Sequence, residues 1–231
     1  MSQVEAHEAL ASKTRMDILS CLYKRDMDVR ELAKETGLQP ITLRHHLKAL
    51  RTAGFIEEVP SRQANVGRPR SVYRIARSRP VLTFPSREYL QLADILVRSL
   101  QIFMGDSMVK KILKWVGKKM GQDTAKHLVG QSGIEKWTSE SYSEYIVNKY
   151  FREAGAEPEV VSVNAKEVVF RLHNCPFHEL AQRRPDLICD TLHAGFHEAL
   201  CEGIGMSVRI TNPKCMGHGH PYCEQVCLFG E

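Results

Sequence analysis

The stretch Cys175–Cys201, CPFHELAQRRPDLICDTLHAGFHEALC, holds three cysteines and three histidines, and Cys215, Cys223 and Cys227 follow before the chain ends at Glu231. Thiolates and imidazoles bind zinc, and thiolates also hold iron–sulfur clusters. Zinc modules usually carry close pairs such as C-x2-C, because one tight turn then brings half the site. Here 13, 25 and 7 residues separate Cys175, Cys189, Cys215 and Cys223. Ligands drawn from such distant places suit a centre larger than a single ion. The spacing therefore favours an iron–sulfur cluster, with a 4Fe–4S centre expected ahead of 2Fe–2S and zinc as the alternative.

Not every soft side chain fits that set. Cys189, His193, His197 and Cys201 are each four residues apart, and a helix drifts about 40° per such step, so all four cannot reach one centre. His193 is the extra ligand or supporting donor. His197, Cys201, Cys227 and Cys21 read as packing residues, a common use of cysteine. His178, His218 and His220 suit the surface, although GHGHPYC also suits a loop closing over a metal.

The elements around these residues read as an α+β unit. PEVVSVNA and EVVFRLHN form a strand hairpin, and Cys175 lies in the CPF turn just beyond it. Residues 185–204 form a helix bearing Cys189, MSVRITN is a further strand, and a Gly-rich loop carries Cys215 towards a last strand near Cys223. Upstream, YLQLADILVRSLQIFMG is apolar almost all round its wheel and calls for a partner helix, which makes it the candidate seat of a homodimer. SMVKKILKWVGKKMGQDTAKHL is amphipathic with a lysine face expected in solvent, and SESYSEYIVNKYFREAG is a helix ended by Gly155.

The front of the chain has different chemistry. The net charge is +5, and between Gln39 and Arg79 nine basic side chains face only Glu57 and Glu58, as expected of a surface that meets a phosphate backbone. SKTRMDILSCLYK, DVRELAKETGL and QPITLRHHLKALRTAGFIEEV read as three helices. Gly37 turns the chain before the third, Pro40 opens it and Gly54 closes it. This is a helix-turn-helix. On its third helix Ile41, Leu47 and Leu50 are expected to pack inward, leaving Thr42, Arg44, His45 and Lys48 outward for bases and phosphates in a major groove. FIEEV and SVYRIA flank the loop SRQANVGRPR, a wing whose Arg62, Arg68 and Arg70 can track the backbone or enter a minor groove. Double-stranded DNA is the implied partner, and two-fold operators imply a two-fold protein.

Residues 12–75 thus resemble the winged helix of ArsR- and MarR-type bacterial regulators, on "LRHHLKALRTAGFIEE" followed by "GRPRSVYRI". The order NCPF, then a Pro-x-Leu-x-Cys helix, then a segment ending PYC resembles the C-terminal half of SufR-type iron–sulfur regulators. It is more distantly similar to V4R small-molecule-binding domains. The SufR resemblance implies a cluster whose state controls DNA binding. It assigns Cys175, Cys189 and Cys223 as ligands by position, with Cys215 or His193 open as the fourth.

The whole chain sets the remaining limits. With 231 residues, 43% hydrophobic and 26% charged, it has material for more than one core. Three regions are expected: 1–79, a winged-helix DNA-binding domain; 80–155, a linker and helical dimerisation region; and 156–231, the cysteine-rich sensor. Apolar runs stop short of the roughly 20 residues a membrane span needs. The first residues lack the order of a secretory signal, which predicts a cytoplasmic protein with reduced thiols. No Ser-His-Asp, phosphate-loop or Rossmann signature accompanies the cysteines, so an enzyme with Cys175 or Cys223 as nucleophile is the minor reading. The reading is a dimeric repressor controlled by a cluster. Its alternative is a regulator that senses an organic ligand and carries structural zinc.

Overall fold

The structure, a computed structural model, describes residues 3–60, 71–76 and 87–230. It divides into two compact units, Met1–Arg87 and Glu88–Glu231. No helix among the described residues is long and apolar enough to cross a membrane.

In the first unit α1 (Gln3–Leu10) precedes the three expected helices, α2 (Lys13–Lys24), α3 (Val29–Thr36) and α4 (Pro40–Thr52). Local chemistry sets their ends. Asp28 and Glu31 form a reciprocal capping box at the start of α3, with the Glu31 N–H donating to Asp28 Oδ1 at 2.9 Å and the Asp28 N–H donating to Glu31 Oε2 at 2.9 Å. Gly37 ends α3 at φ +70°, a backbone state glycine enters without a Cβ clash. Pro40 occupies the first turn of α4. Ile18, Leu22, Leu32, Leu43, Leu47 and Leu50 close the core, together with Ala6 and Ala9 of α1. Ile41 departs from the expected packing. Leu43 takes the inward position, and Ile41 is 77% exposed. The buried stripe of α4 runs through Leu43, Leu47 and Leu50 at steps of four and three. Ile41 lies two residues before Leu43, about 200° away round the helix, and so falls on the opposite side.

Strands β1 (Ile56–Pro60) and β2 (Ser71–Ile75) pair antiparallel from Ile56↔Ile75 to Pro60↔Ser71. Met27 and Tyr73 exchange two backbone hydrogen bonds, which ties the α2–α3 connection to β2. The wing loop between the strands, with Arg62, Arg68 and Arg70, lies outside the described residues.

The second unit opens with α5 (Tyr89–Ser132), expected as two helices and broken only at Gly105, whose φ of 76° and ψ of 157° are non-helical. After α6 (Ser139–Ser141) the chain continues as a π-wound stretch, Tyr142–Phe151. Strands β3 (Pro158–Asn164) and β4 (Glu167–Leu172) form the expected hairpin. Next come α7 (His178–Arg183), α8 (Pro185–Leu187), a π-wound stretch Ile188–His193, α9 (Ala194–Gly203), β5 (Val208–Lys214) and β6 (Cys223–Phe229). The sheet is antiparallel in the order β3-β4-β6-β5. The whole is the α+β architecture read from the sequence. One face of the sheet, through Val168, Phe170 and Cys227, packs on Tyr142, Ile146 and Phe151 and on Phe196 and Leu200 of α9.

Helices α5 and α9 meet backbone to backbone. A Cβ on Gly121 would stand 2.3 Å from the Phe196 carbonyl oxygen, and one on Gly117 would stand 2.1 Å from that of Leu192. Gly195 faces the Lys114 carbonyl at 2.8 Å in the same sense. The lysine face expected in solvent is turned partly to this neighbour. Lys114 and Lys118 both reach Glu198, at 3.8 and 3.2 Å, and Lys110 reaches Asp186 at 3.2 Å.

Candidate functional site

On α4, Thr42, Arg44, His45 and Lys48 are all exposed, as expected. Residues 41, 44, 45 and 48 fall on one side of the helix, so the basic stripe begins at Ile41, an apolar member that sequence spacing alone places inward. Arg51 at the far end is paired with Glu58, and Arg74 with Glu57 at 2.6 Å. The two acidic residues of β1 are thus taken up by other arginines, and Arg44, His45 and Lys48 remain exposed on α4.

In the second unit, sheet order explains how distant cysteines meet. Cys223 pairs in register with Leu172 at the end of β4, so the CPF turn three residues beyond Leu172 emerges beside the start of β6. The hydrogen bond from His178 N–H to Cys175 O, 3.0 Å, closes that turn. Cys189 lies in the π-wound stretch after α8, and Cys215 follows β5, just before a single 3-10 turn, Met216–His218. Cys175, Cys189, Cys215 and Cys223 are free, half-buried, and all line one cavity of about 200 Å³.

Contacts around this cavity are specific. The Cys215 thiol lies close enough to those of Cys189 and Cys223 to raise the pKa of both. The Met216 N–H donates to Cys223 Sγ at 3.3 Å. His218 Nε2 lies 3.0 Å from Asp190 Oδ1, which fastens the Cys215 loop to the helix carrying Cys189. Gly217 packs closely here: a Cβ would stand 2.6 Å from Cys189 Sγ and 3.1 Å from the Ala181 carbonyl oxygen, so the thiol or the loop would have to move.

Desolvation dominates the electrostatics. Burial pushes the Cys189 thiol far above its ordinary value and the Cys223 thiol to about 12, and charge on neighbouring cysteines pushes in the same direction. Cys175 is raised for the same first reason. Cys175, Cys189 and Cys223 are therefore neutral near pH 7. Among the described residues no three His, Cys, Asp or Glu side chains stand close enough to share one metal ion. Tetrahedral zinc, with Zn–S bonds of about 2.3 Å, needs sulfurs about 3.8 Å apart. The four thiols come from four separate elements and line one cavity.

The remaining wall is apolar, with Tyr150, Phe177, Ile188, Leu192 and Phe196. His193 is on this wall, and its Nε2 lies 3.1 Å from Nε2 of His197, which is buried behind it. Desolvation pulls His193 down to about 4 and His197 well below its ordinary value, so both rings are neutral. Gln225 also lines the cavity at 1% exposure, and its Oε1 has no hydrogen-bond partner among the described residues. Sequence patterns give no sign of Gln225, an ordinary polar residue on a strand.

The other cysteines are elsewhere. Cys201 and Cys227 are buried against the Tyr142 hydroxyl, with Cys227 Sγ 3.6 Å from it, and burial raises these thiols to about 12 and about 11. Cys21 packs against the core of the first unit.

Residues 12–58 match the family model for the bacterial regulatory protein, arsR family. No curated protein matches the chain. Among solved structures, it is similar to trafficking protein particle complex subunit 3 from Naegleria fowleri, covalently bound to palmitic acid. That match has 17% identity and a TM-score of 0.45 over 62% of this chain and 92% of that one. It is similar to M. tuberculosis Rv0081 at 26% identity and a TM-score of 0.27, over 46% of this chain and 91% of that one. It is also similar to the phenol-responsive sensory domain of the transcription activator PoxR with phenol, at 12% identity and a TM-score of 0.45, over 81% and 90% of the two chains. The arsR-type module and the outward basic stripe of α4 make this chain a DNA-binding transcription regulator.

Proposed function

We propose that this regulator is a dimeric repressor whose grip on its operator is set by a four-iron cluster held by Cys175, Cys189, Cys215 and Cys223. One observation carries the reading: four thiols from four separate elements line a single cavity. Such a cluster supplies iron–sulfur bonds sensitive to oxidation and to iron supply. The rest is the work of the chain.

With its four cysteines tied together, the CPF turn, the helix after α8, the Met216–His218 loop and the start of β6 are fixed to one another. With them free, these parts are joined by packing and by weaker contacts such as His218–Asp190 and Met216 N–H to Cys223 Sγ. The helix bearing Cys189 continues into α9, which meets α5 at Gly117, Gly121 and Gly195 without intervening side chains. A shift at Cys189 is therefore passed to α5 as a rigid displacement. The first half of α5 exposes Tyr89, Leu92, Ile95, Leu96 and Phe103, the last at 86%. A face of this kind supports the homodimer, since isolated chains seldom leave that much apolar surface uncovered. Changing the preferred spacing of two DNA-binding units by about 2 kcal/mol alters affinity some thirtyfold, well within what metal ligation can supply.

Anaerobic isolation with absorbance, iron and sulfide analysis tests the cluster. Brown protein with about four irons per chain is expected, and Cys175→Ser, Cys189→Ser and Cys223→Ser each lose it. Colourless protein free of iron after anaerobic isolation overturns it.

The apolar wall and the unpartnered Gln225 Oε1 favour a second reading. In it the cavity takes a small organic molecule that donates one hydrogen bond, and zinc plays a structural part. Colourless protein containing zinc, with thermal stability raised by such a molecule, supports that reading instead.

A further inference from the structure

We infer that Ile41 is a specificity-determining residue that reads the methyl group of a thymine in the major groove. This rests on the DNA-binding reading of the first unit and adds a base preference to it.

Ile41 is a large aliphatic side chain on the second residue of α4, and it is 77% exposed. The core has no place for it, since Leu43, Leu47 and Leu50 already fill the inward side of α4 completely. Its position sets it apart from scattered surface leucines and valines. It begins the stripe that continues through Arg44, His45 and Lys48, one helical turn and two helical turns further on. In a helix-turn-helix the N-terminal residues of the third helix reach base edges, while residues further along serve phosphates. An isoleucine there has no hydrogen bond to offer. The one apolar group that a base pair shows in the major groove is the thymine C5-methyl. The neighbouring positive charges bring the phosphate backbone to this face, so the apolar tip is carried into the groove and not against another protein.

Size gives the expected effect. Covering one methyl-sized group is worth a factor of about three to five in affinity per contact. That is small beside the phosphate contribution but enough to fix one position of each half-site. Alanine at position 41 removes the contact without touching the core, and alanine favours an exposed helical position.

The test uses the full chain, isolated anaerobically. A duplex is selected from a random library, and each thymine of the selected half-site is then replaced singly by uracil, which removes only the methyl. Wild type is expected to lose about three- to fivefold at one position per half-site. Ile41→Ala is expected to bind both forms alike, and at the same position a 5-methylcytosine–guanine pair is expected to bind more tightly than a cytosine–guanine pair with wild type alone. Methyl dependence that persists in Ile41→Ala, or wild type indifferent to uracil at every position, overturns the inference and leaves the DNA-binding reading intact. A chain that enriches no duplex overturns both.

Discussion

Replacing Gly121 by alanine puts a methyl where the backbone of α9 already is. The Cβ would lie 2.3 Å from the Phe196 oxygen and 2.9 Å from the Leu200 nitrogen. Neither atom belongs to a side chain that can rotate away, so α9 must move or bend. Overpacking of this kind costs about 1–3 kcal/mol. Opposing it, alanine in a helix interior gains up to about 1 kcal/mol over glycine. The clash wins, by roughly 1–2 kcal/mol, which lowers Tm by about 2–8 °C in a chain of this size. The matched control is Gly130→Ala on the same helix, where a Cβ meets nothing within 4 Å. There the propensity gain stands alone and Tm rises by up to about 4 °C. The protein's two tryptophans, Trp115 and Trp137, both lie in the second unit, so their fluorescence on heating reports the unit in question. If Gly121→Ala stabilises as Gly130→Ala does, α5 and α9 are not in backbone contact and the proposed route from Cys189 to α5 fails.

Gly217→Ala would push the Cys215 loop away from Cys189, so iron content after anaerobic isolation should fall by more than half while the secondary structure seen by circular dichroism stays the same. Lys48→Ala should weaken binding to all duplexes alike and lower the slope of log affinity against log salt by about one per subunit. His197 is buried with its pKa depressed below the unfolded value, chiefly by desolvation. The unfolded chain therefore binds more protons as pH falls below about 6.5, and the stability contributed by the neutral ring is lost in that direction. The urea midpoint should drop between pH 7.5 and pH 5.5 in wild type, and drop less in His197→Leu.

Local signals in the sequence are enough for the first unit. The Asp28–Glu31 box, Gly37, Pro40 and the apolar spacing of α2 to α4 act within a few residues, and the helices form where those signals stand. Ile41 misleads because an isoleucine in an amphipathic helix reads as core, and only the packing of Leu43 reveals that the inward stripe is already full. In the second unit the strands are legible from alternation. The meeting of Cys175 with Cys223 is not, because it depends on β6 entering between β4 and β5, a choice made by sheet assembly between segments about fifty residues apart in the chain. Glycines at 117, 121 and 195 look like weak points of a helix until α9 is laid against α5. Gln225 carries no pattern at all. Its interest comes from a buried Oε1 that accepts no hydrogen bond among the described residues.

Whether the cysteine-lined cavity of the second unit governs the first unit's hold on DNA is decided most directly by operator affinity. Affinity is to be compared for the same anaerobic preparation before and after the iron is removed by chelation, at one salt concentration. A change of some tens-fold is predicted, corresponding to about 2 kcal/mol, and it should disappear in Cys189→Ser. Equal affinity with and without iron, in protein that demonstrably held it, would contradict control of DNA binding by the cluster.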